Sequence, residues 1–232
     1  MRSAQGMEHR LLCGDFREWA AICDNRPGVL VFDPPYDNTD LMAERFDAEF
    51  EQVLAFGDGL RAGTLANGWS IPLRWLFIWD GGSSWWVSGR PLARMKCCWW
   101  LASLDAPYRE DGWFVAPQDQ TEHVVTNSRG TYLYSPDPRG KHLSDVFTMS
   151  LANLHAEGPS HAKPLDWVTA LIANCTHGDV LDPFCGSGVS LIACERLGRT
   201  CYAVDKDASQ CDVAKVRWEG MTGQAATLGK TS

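Results

Sequence analysis

Asp33-Pro34-Pro35-Tyr36 follows directly on the apolar run Val29-Leu30-Val31-Phe32. This spacing sets one carboxylate, two prolines and one aromatic ring at the C-terminal end of an expected buried strand, the edge where open α/β sheets collect their ligands. Neither proline can donate to a sheet ladder and each fixes its own φ, so the strand stops at Asp33. The loop beyond it presents a carboxylate, a carbonyl and a ring. A strand end followed by a plain turn would read the same way locally. The far end of the chain adds a second constellation, Leu181-Asp182-Pro183-Phe184-Cys185-Gly186-Ser187-Gly188. Here a strand, a Gly-x-Gly turn and a helix are expected in order. Glycines let the backbone approach a ligand without a Cβ between them, and the helix start offers free N–H groups. Asp205 ends the next expected strand, where a carboxylate suits ribose hydroxyls. Leu12-Cys13-Gly14-Asp15 supplies another strand ending near an acid. Taken singly, Asp15 and Asp205 could cap helices and Asp182 the turn that follows it. The glycine turn together with Asp205 can hold a nucleoside-like cofactor. A dinucleotide is the alternative, but the third glycine of that fingerprint is missing and Leu191 stands in its place.

The elements that must position these residues alternate. Strands are expected at Leu11 to Cys13, Gly28 to Phe32, Arg74 to Trp79, 96–102, 122–127, Val180-Leu181 and Tyr202 to Val204. Helices are expected at Phe16 to Cys23, 164–175 with Pro164 in the first turn, Gly188 to Leu197 with Gly198 as its stop, and 207–219. Residues 41–56 read as an acidic amphipathic helix with Leu41, Phe46, Phe50, Val53 and Leu54 on its apolar side. Asp80-Gly81-Gly82-Ser83-Ser84 reads as a loop. Residues 128–160 lack periodicity and read as a loop or small insert. The alternation predicts an α/β fold, a mostly parallel sheet of seven strands with helices on both faces. A single domain over 1–220 and a flexible tail at 221–232 complete the expected organisation.

Composition narrows the classes. The chain has 232 residues and a net charge of −8. A general polyanion binder would be basic, so nucleic-acid contact would need a local patch. The acids concentrate in residues 1–60, whereas the middle of the chain is balanced, which makes the middle the place to look. No apolar window is long enough for a membrane span, and the N-terminal residues lack a signal-peptide core. Nine scattered cysteines without a C-x-x-C pair predict reduced, buried thiols in a cytoplasmic protein and no metal site. The tryptophans crowded between Trp69 and Trp113 predict an aromatic core.

The motifs together resemble one family. Asp182-Pro183-Phe184-Cys185-Gly186-Ser187-Gly188 resembles the cofactor motif of S-adenosylmethionine-dependent DNA amino-methyltransferases, and Asp33-Pro34-Pro35-Tyr36 resembles their catalytic motif. His161-Ala162-Lys163-Pro164-Leu165 is similar to the segment that precedes the cofactor motif, and Leu12-Cys13-Gly14-Asp15 to the opening strand. Catalytic motif first and cofactor motif last is the order of the circularly permuted β-class, with a Rossmann-like methyltransferase fold. Val189, Ser190 and Asp205 depart from the family's usual residues. The resemblance implies that Asp182, Pro183, Phe184, Gly186 and Gly188 line the cofactor, that Asp205 takes its ribose, that Asp15 lies near its adenine and that Lys163 approaches its carboxylate. The family commonly places a target-recognition domain after the segment that holds Val125. Only about 35 residues separate Val125 from His161, which predicts short or relaxed sequence specificity.

The chemistry so implied is methylation of an exocyclic amine. That amine is a poor nucleophile because its lone pair is delocalised into the base. Asp33 and the Pro34 carbonyl would accept its two hydrogens and localise the pair, with Pro35 stiffening the loop and Tyr36 stacking on a base turned out of the duplex. Asp at the head of the motif favours adenine N6 in DNA over cytosine N4. RNA adenine and a catalytically silent, cofactor-binding partner subunit stay open. Carbon-5 chemistry is disfavoured because no Pro-Cys pair exists. DNA contact is expected at Arg129, Tyr132, Tyr134, Arg139 and Lys141, which mix cations with aromatics. A homodimer contact is possible through residues 41–56.

Overall fold

A computed structural model describes residues 8–17, 23, 27–34, 50–57, 71–85, 93–103, 123–127, 130–134, 146–148, 162–226 and 229–230. The strands are β1 (Arg10–Cys13), β2 (Val29–Phe32), β3 (Gln52–Gly57), β4 (Leu73–Trp85), β5 (Ala93–Ala102), β6 (His123–Asn127), β7 (Gly130–Tyr134), β8 (Val146–Thr148), β9 (Val180–Asp182), β10 (Cys201–Asp205) and β11 (Gly229–Lys230). The helices among the described residues are α1 (Leu165–Cys175), α2 (Val189–Leu197) and α3 (Ala208–Thr222). One sheet runs in the order β11-β1-β10-β9-β2-β3-β5-β4-β8. Seven strands from β1 to β4 form its body, and the short β11 and β8 extend its two edges. All neighbours from β11 to β3 are parallel, and β5 alone runs against both of its partners. The expected mainly parallel α/β sheet is therefore present.

The apolar runs explain the burial. All four residues of β2 and all six of β3 are buried, as strands covered on both faces require. Val29, Val31, Leu54 and Phe56 face a core shared with Trp167, Leu171 and Ile172 of α1, Leu191 and Ile192 of α2, and Trp218 of α3. Leu30, Phe32, Val53 and Ala55 face the opposite core with Phe16, Phe50 and Trp99. Two helix ends are tied to this frame by single side chains. Arg199 donates to the carbonyls of Ile172 (2.8 Å), Thr176 (3.2 Å) and Gly178 (2.6 Å), and so satisfies the end of α1. His9, fully buried, donates from Nε2 to Glu195 (2.8 Å) and accepts at Nδ1 from the Cys201 N–H (3.1 Å), while Trp218 also donates to Glu195 (3.0 Å).

Four expectations are corrected. Residues 52–57 are a strand, not the end of a helix; a short apolar run does not discriminate by period, and pairing between β2 and β5 decides it. Residues 41–49, and with them the suggested dimer contact, lie outside the described residues. Asp80 to Ser84 continue β4 through a register irregularity between Asp80 and Trp85, where the glycines allow a bulge. The interval 128–160 holds β7, which pairs with β6, and β8, which joins the main sheet. The tail after Gly220 completes α3 and then returns as β11 beside β1; two residues filling the backbone groups of an edge strand leave no hydrophobic signature. The expected strands at 96–102 and 122–127 and the helix at 164–175 match β5, β6 and α1.

Candidate active site

Chain direction makes the site. From β9 the chain moves outward to β10, whereas from β2 it moves outward to β3, so the strand order reverses between β9 and β2. A crevice opens at such a switch point, beyond the carboxyl ends of the strands. β1, β10, β9 and β2 are consecutive and parallel, so Asp15, Asp205, Asp182 and Asp33 stand in that order along one edge. A cleft of about 200 Å³ lies there, lined among others by Asp33, Phe56, Lys163, Asp182, Gly186 and Gln210.

The glycine turn is held from several sides. Gly188 (φ +78°) is the N-cap of α2, and a Cβ there would lie 2.8 Å from the Ala214 Cβ of α3. This glycine thus serves helix–helix approach as well as a left-handed turn. A Cβ on Gly186 (φ +49°) would meet nothing nearer than Gln210 Oε1 at 4.0 Å; the space in front of it belongs to the cleft. Asp205 accepts from the Gly186 N–H (2.8 Å) with one oxygen and from the Asp207 N–H (2.9 Å) with the other. The acid expected at a ribose therefore also fixes the loop, and each oxygen keeps a further lone pair. Arg217 donates to the carbonyl (2.8 Å) and hydroxyl (3.0 Å) of Ser187 from α3.

Asp182 is buried, accepts from the Phe184 N–H (3.1 Å) and receives the Ser190 hydroxyl. Burial raises its pKa from the ordinary 3.8 to about 7; the two hydrogen bonds oppose this, and the charges of Asp33 and Asp205 add to it. A carboxyl so poised suits an ammonium group, whose arrival would favour its ionised form. Pro183 is buried in the turn. Phe184 packs between Phe16 (5.1 Å between centroids) and Phe32 (5.5 Å), so it walls the cleft from the core side. Asp15 is exposed and paired with Arg17 at 3.2 Å.

On the β2 side, Pro34 is buried and Asp33 is half-buried. Lys163, just before α1, donates its ammonium to Asp33 Oδ2 and lies 4.9 Å from the Phe56 ring centroid. Pro35, Tyr36, Arg129, Arg139 and Lys141 lie outside the described residues, and Tyr132 and Tyr134 are on β7. The structure thus brings Asp33, Lys163, Asp182, Phe184, Gly186 and Asp205 together. Sequence reasoning missed Phe56, Gln210 and Arg217. Gln210, at the third position of α3, had a weak signal in its distance of one helical turn past the Asp207 N-cap; the others had none.

These groups fit a ligand with an amino-acid end and a ribosyl end. The cradle lacks a Cβ, the buried carboxyl of Asp182 offers a site for an ammonium, and the strand-end carboxylate of Asp205 keeps lone pairs for a diol. Comparison with known proteins agrees. The profile of the N6/N4 DNA methylase family matches residues 43–216, beginning after Tyr36. The fold is similar to that of the M1.HpyAVI complex with S-adenosylmethionine (TM-score 0.59, 17% identity, 90% of this chain and 99% of that one). It is similar to TTHA0409, a putative DNA modification methylase from Thermus thermophilus (0.62, 18%, 97% and 100%), and to PvuII DNA methyltransferase, a cytosine-N4-specific enzyme (0.57, 13%, 94% and 89%). No curated protein matches the chain.

Proposed function

Because the chain belongs to the N6/N4 DNA methylase family, whose members are S-adenosylmethionine-dependent, we propose that it methylates the N6 amine of adenine in DNA, with short or relaxed sequence preference. The observation that carries this reading is the position of Asp33-Pro34 at the switch point, one strand away from the Asp182–Gly188 turn. The bound cofactor supplies a methyl group already activated on a sulfonium sulfur. The chain's own residues do the rest. Asp182 holds an ammonium group and Asp205 a ribose diol, while Gly186 leaves room for both. Asp33 and the Pro34 carbonyl accept the two amine hydrogens, which draws the nitrogen lone pair out of the ring and aims it. The Pro34 main chain suits this role because it offers an acceptor and no competing N–H. Phe184 and Phe56 keep the walls of the cleft apolar, which strengthens the polar contacts inside it.

Aspartate at the head of the tetrapeptide supports adenine. Relaxed specificity is supported by the interval before His161, which is short and already lends β7 and β8 to the fold. Single-molecule sequencing of DNA incubated with protein and cofactor tests both statements. Methyladenine in many contexts is expected. A single long motif would overturn the relaxed preference, and N4-methylcytosine would overturn the base. Unmodified DNA together with methylated RNA would move the substrate to RNA. No transfer to either nucleic acid, with cofactor binding intact, would make the chain a silent partner subunit.

A further inference from the structure

We propose that Lys163 is a positioning residue for Asp33: its ammonium engages Oδ2 and leaves Oδ1 turned to the substrate amine. The inference rests on the reading of Asp33 as the amine acceptor. Lys163 and Asp33 are 130 residues apart and meet across the cleft, the lysine side chain 12% exposed and the carboxylate 34%. Among the described residues that line the cleft Lys163 is the only cation, and Asp33 and Asp182 are the acids. The ammonium is fixed from a second direction by the Phe56 ring, which is itself held edge-on against Trp167 of α1 at 5.4 Å. A lysine ordered in this way gives up rotamer freedom. One carboxylate and one ring compensate that loss, and both sit at the reacting end of the cleft. Asp33 has no second hydrogen-bond partner among the described residues, so one of its oxygens stays available. An untethered aspartate could present either oxygen or turn away; a tethered one presents a single acceptor in a single orientation, which is what alignment of an amine requires.

The family resemblance implies a different task for Lys163, contact with the cofactor carboxylate, and the two tasks separate experimentally. Lys163→Met, Lys163→Arg and Asp33→Ala are compared with the native protein in steady-state methyl transfer to DNA. Cofactor affinity of the free proteins is read by calorimetry, and folding by melting curves. For a positioning role, Lys163→Met lowers kcat by about 10- to 100-fold while the cofactor Kd changes by less than about threefold. Lys163→Arg, which keeps a cation for Asp33, restores kcat to within about tenfold of native. A Lys163→Met protein with native kcat and a cofactor Kd raised about tenfold or more would overturn the inference, as would loss of both properties without rescue by arginine. Retained transfer in Asp33→Ala would instead overturn the reading of Asp33 itself. Inactive Asp33→Ala beside fully active Lys163→Met would overturn the positioning role alone.

Discussion

At the scale of single residues, two carboxylates face one cleft in opposite electrostatic settings. Asp33 has a cation beside it; Asp182 is buried among acids and carries a pKa of about 7. Asp33→Ala removes the proposed amine acceptor. It is expected to lower kcat by about 10²- to 10³-fold while leaving cofactor binding within a few-fold of native, measured by methyl transfer and calorimetry side by side. Asp182 makes two predictions of opposite sign. Its folded pKa lies above the ordinary 3.8, so between about pH 4 and 7 the folded protein keeps a proton that the unfolded chain has lost. The stability tied to that proton is complete below this window and is lost as pH rises through 7. Chemical denaturation across about pH 4 to 8 should show a decline in native protein that Asp182→Asn removes, up to roughly 4 kcal/mol in all. Binding of an ammonium-bearing cofactor has the reverse dependence. Affinity should rise roughly tenfold from about pH 6 to 8 in the native protein and stay flat in Asp182→Asn. The acids at 33 and 182 are legible from sequence because each ends an apolar run. Their different settings are not legible, since Lys163 and Ser190 reach them only through the fold.

At the scale of elements, the glycine turn does two jobs at Gly188. Its φ of +78° disfavours any side chain, and the close approach of α3 forbids one. Gly178 (φ +86°) provides the control, because a Cβ there would meet nothing within 4 Å. Gly178→Ala should cost about 1 kcal/mol from backbone conformation alone. Gly188→Ala should cost a further ~1–3 kcal/mol from overpacking against Ala214, and should also weaken cofactor binding. Denaturant melts of the two variants decide whether the turn is shaped by conformation or by packing. The sequence marks Gly188 as part of a turn but does not show the second reason for a glycine there, because Ala214 is a partner supplied by the packing of α3 on α2. β3 makes the same point for a strand: Val53-Leu54-Ala55-Phe56 suits either a buried helix or a buried strand, and its slot between β2 and β5 settles the matter.

At the scale of the whole molecule, an acidic chain must contact a polyanion through a local surface. The expected surface is Arg129, Arg139 and Lys141, close in sequence to the β6–β7 pair. Replacing all three with alanine should weaken DNA binding at every sequence alike. The slope of log affinity against log salt should become shallower by about 2 to 3. Fluorescence titrations from low to moderate salt read both numbers; an unchanged slope would place the phosphate contacts elsewhere. Methyl transfer on a saturating short oligonucleotide should survive the change, since these residues are assigned to binding and not to the cleft.

The motifs and their order, and with them the family, are legible in the amino-acid sequence alone. The tetrapeptide at Asp33, the turn at Asp182 to Gly188 and the acid at Asp205 are local patterns, each written in consecutive residues whose backbone limits and charges are intrinsic. The mainly parallel α/β sheet followed from their alternation. Tertiary structure decided what those residues touch. It reversed the strand order between β9 and β2, set Lys163 on Asp33, closed α3 over Gly188 and buried Asp182 far enough to hold a proton near neutral pH. Each of these depends on groups distant in the chain brought into contact, and burial, pairing and orientation exist only once that contact is made.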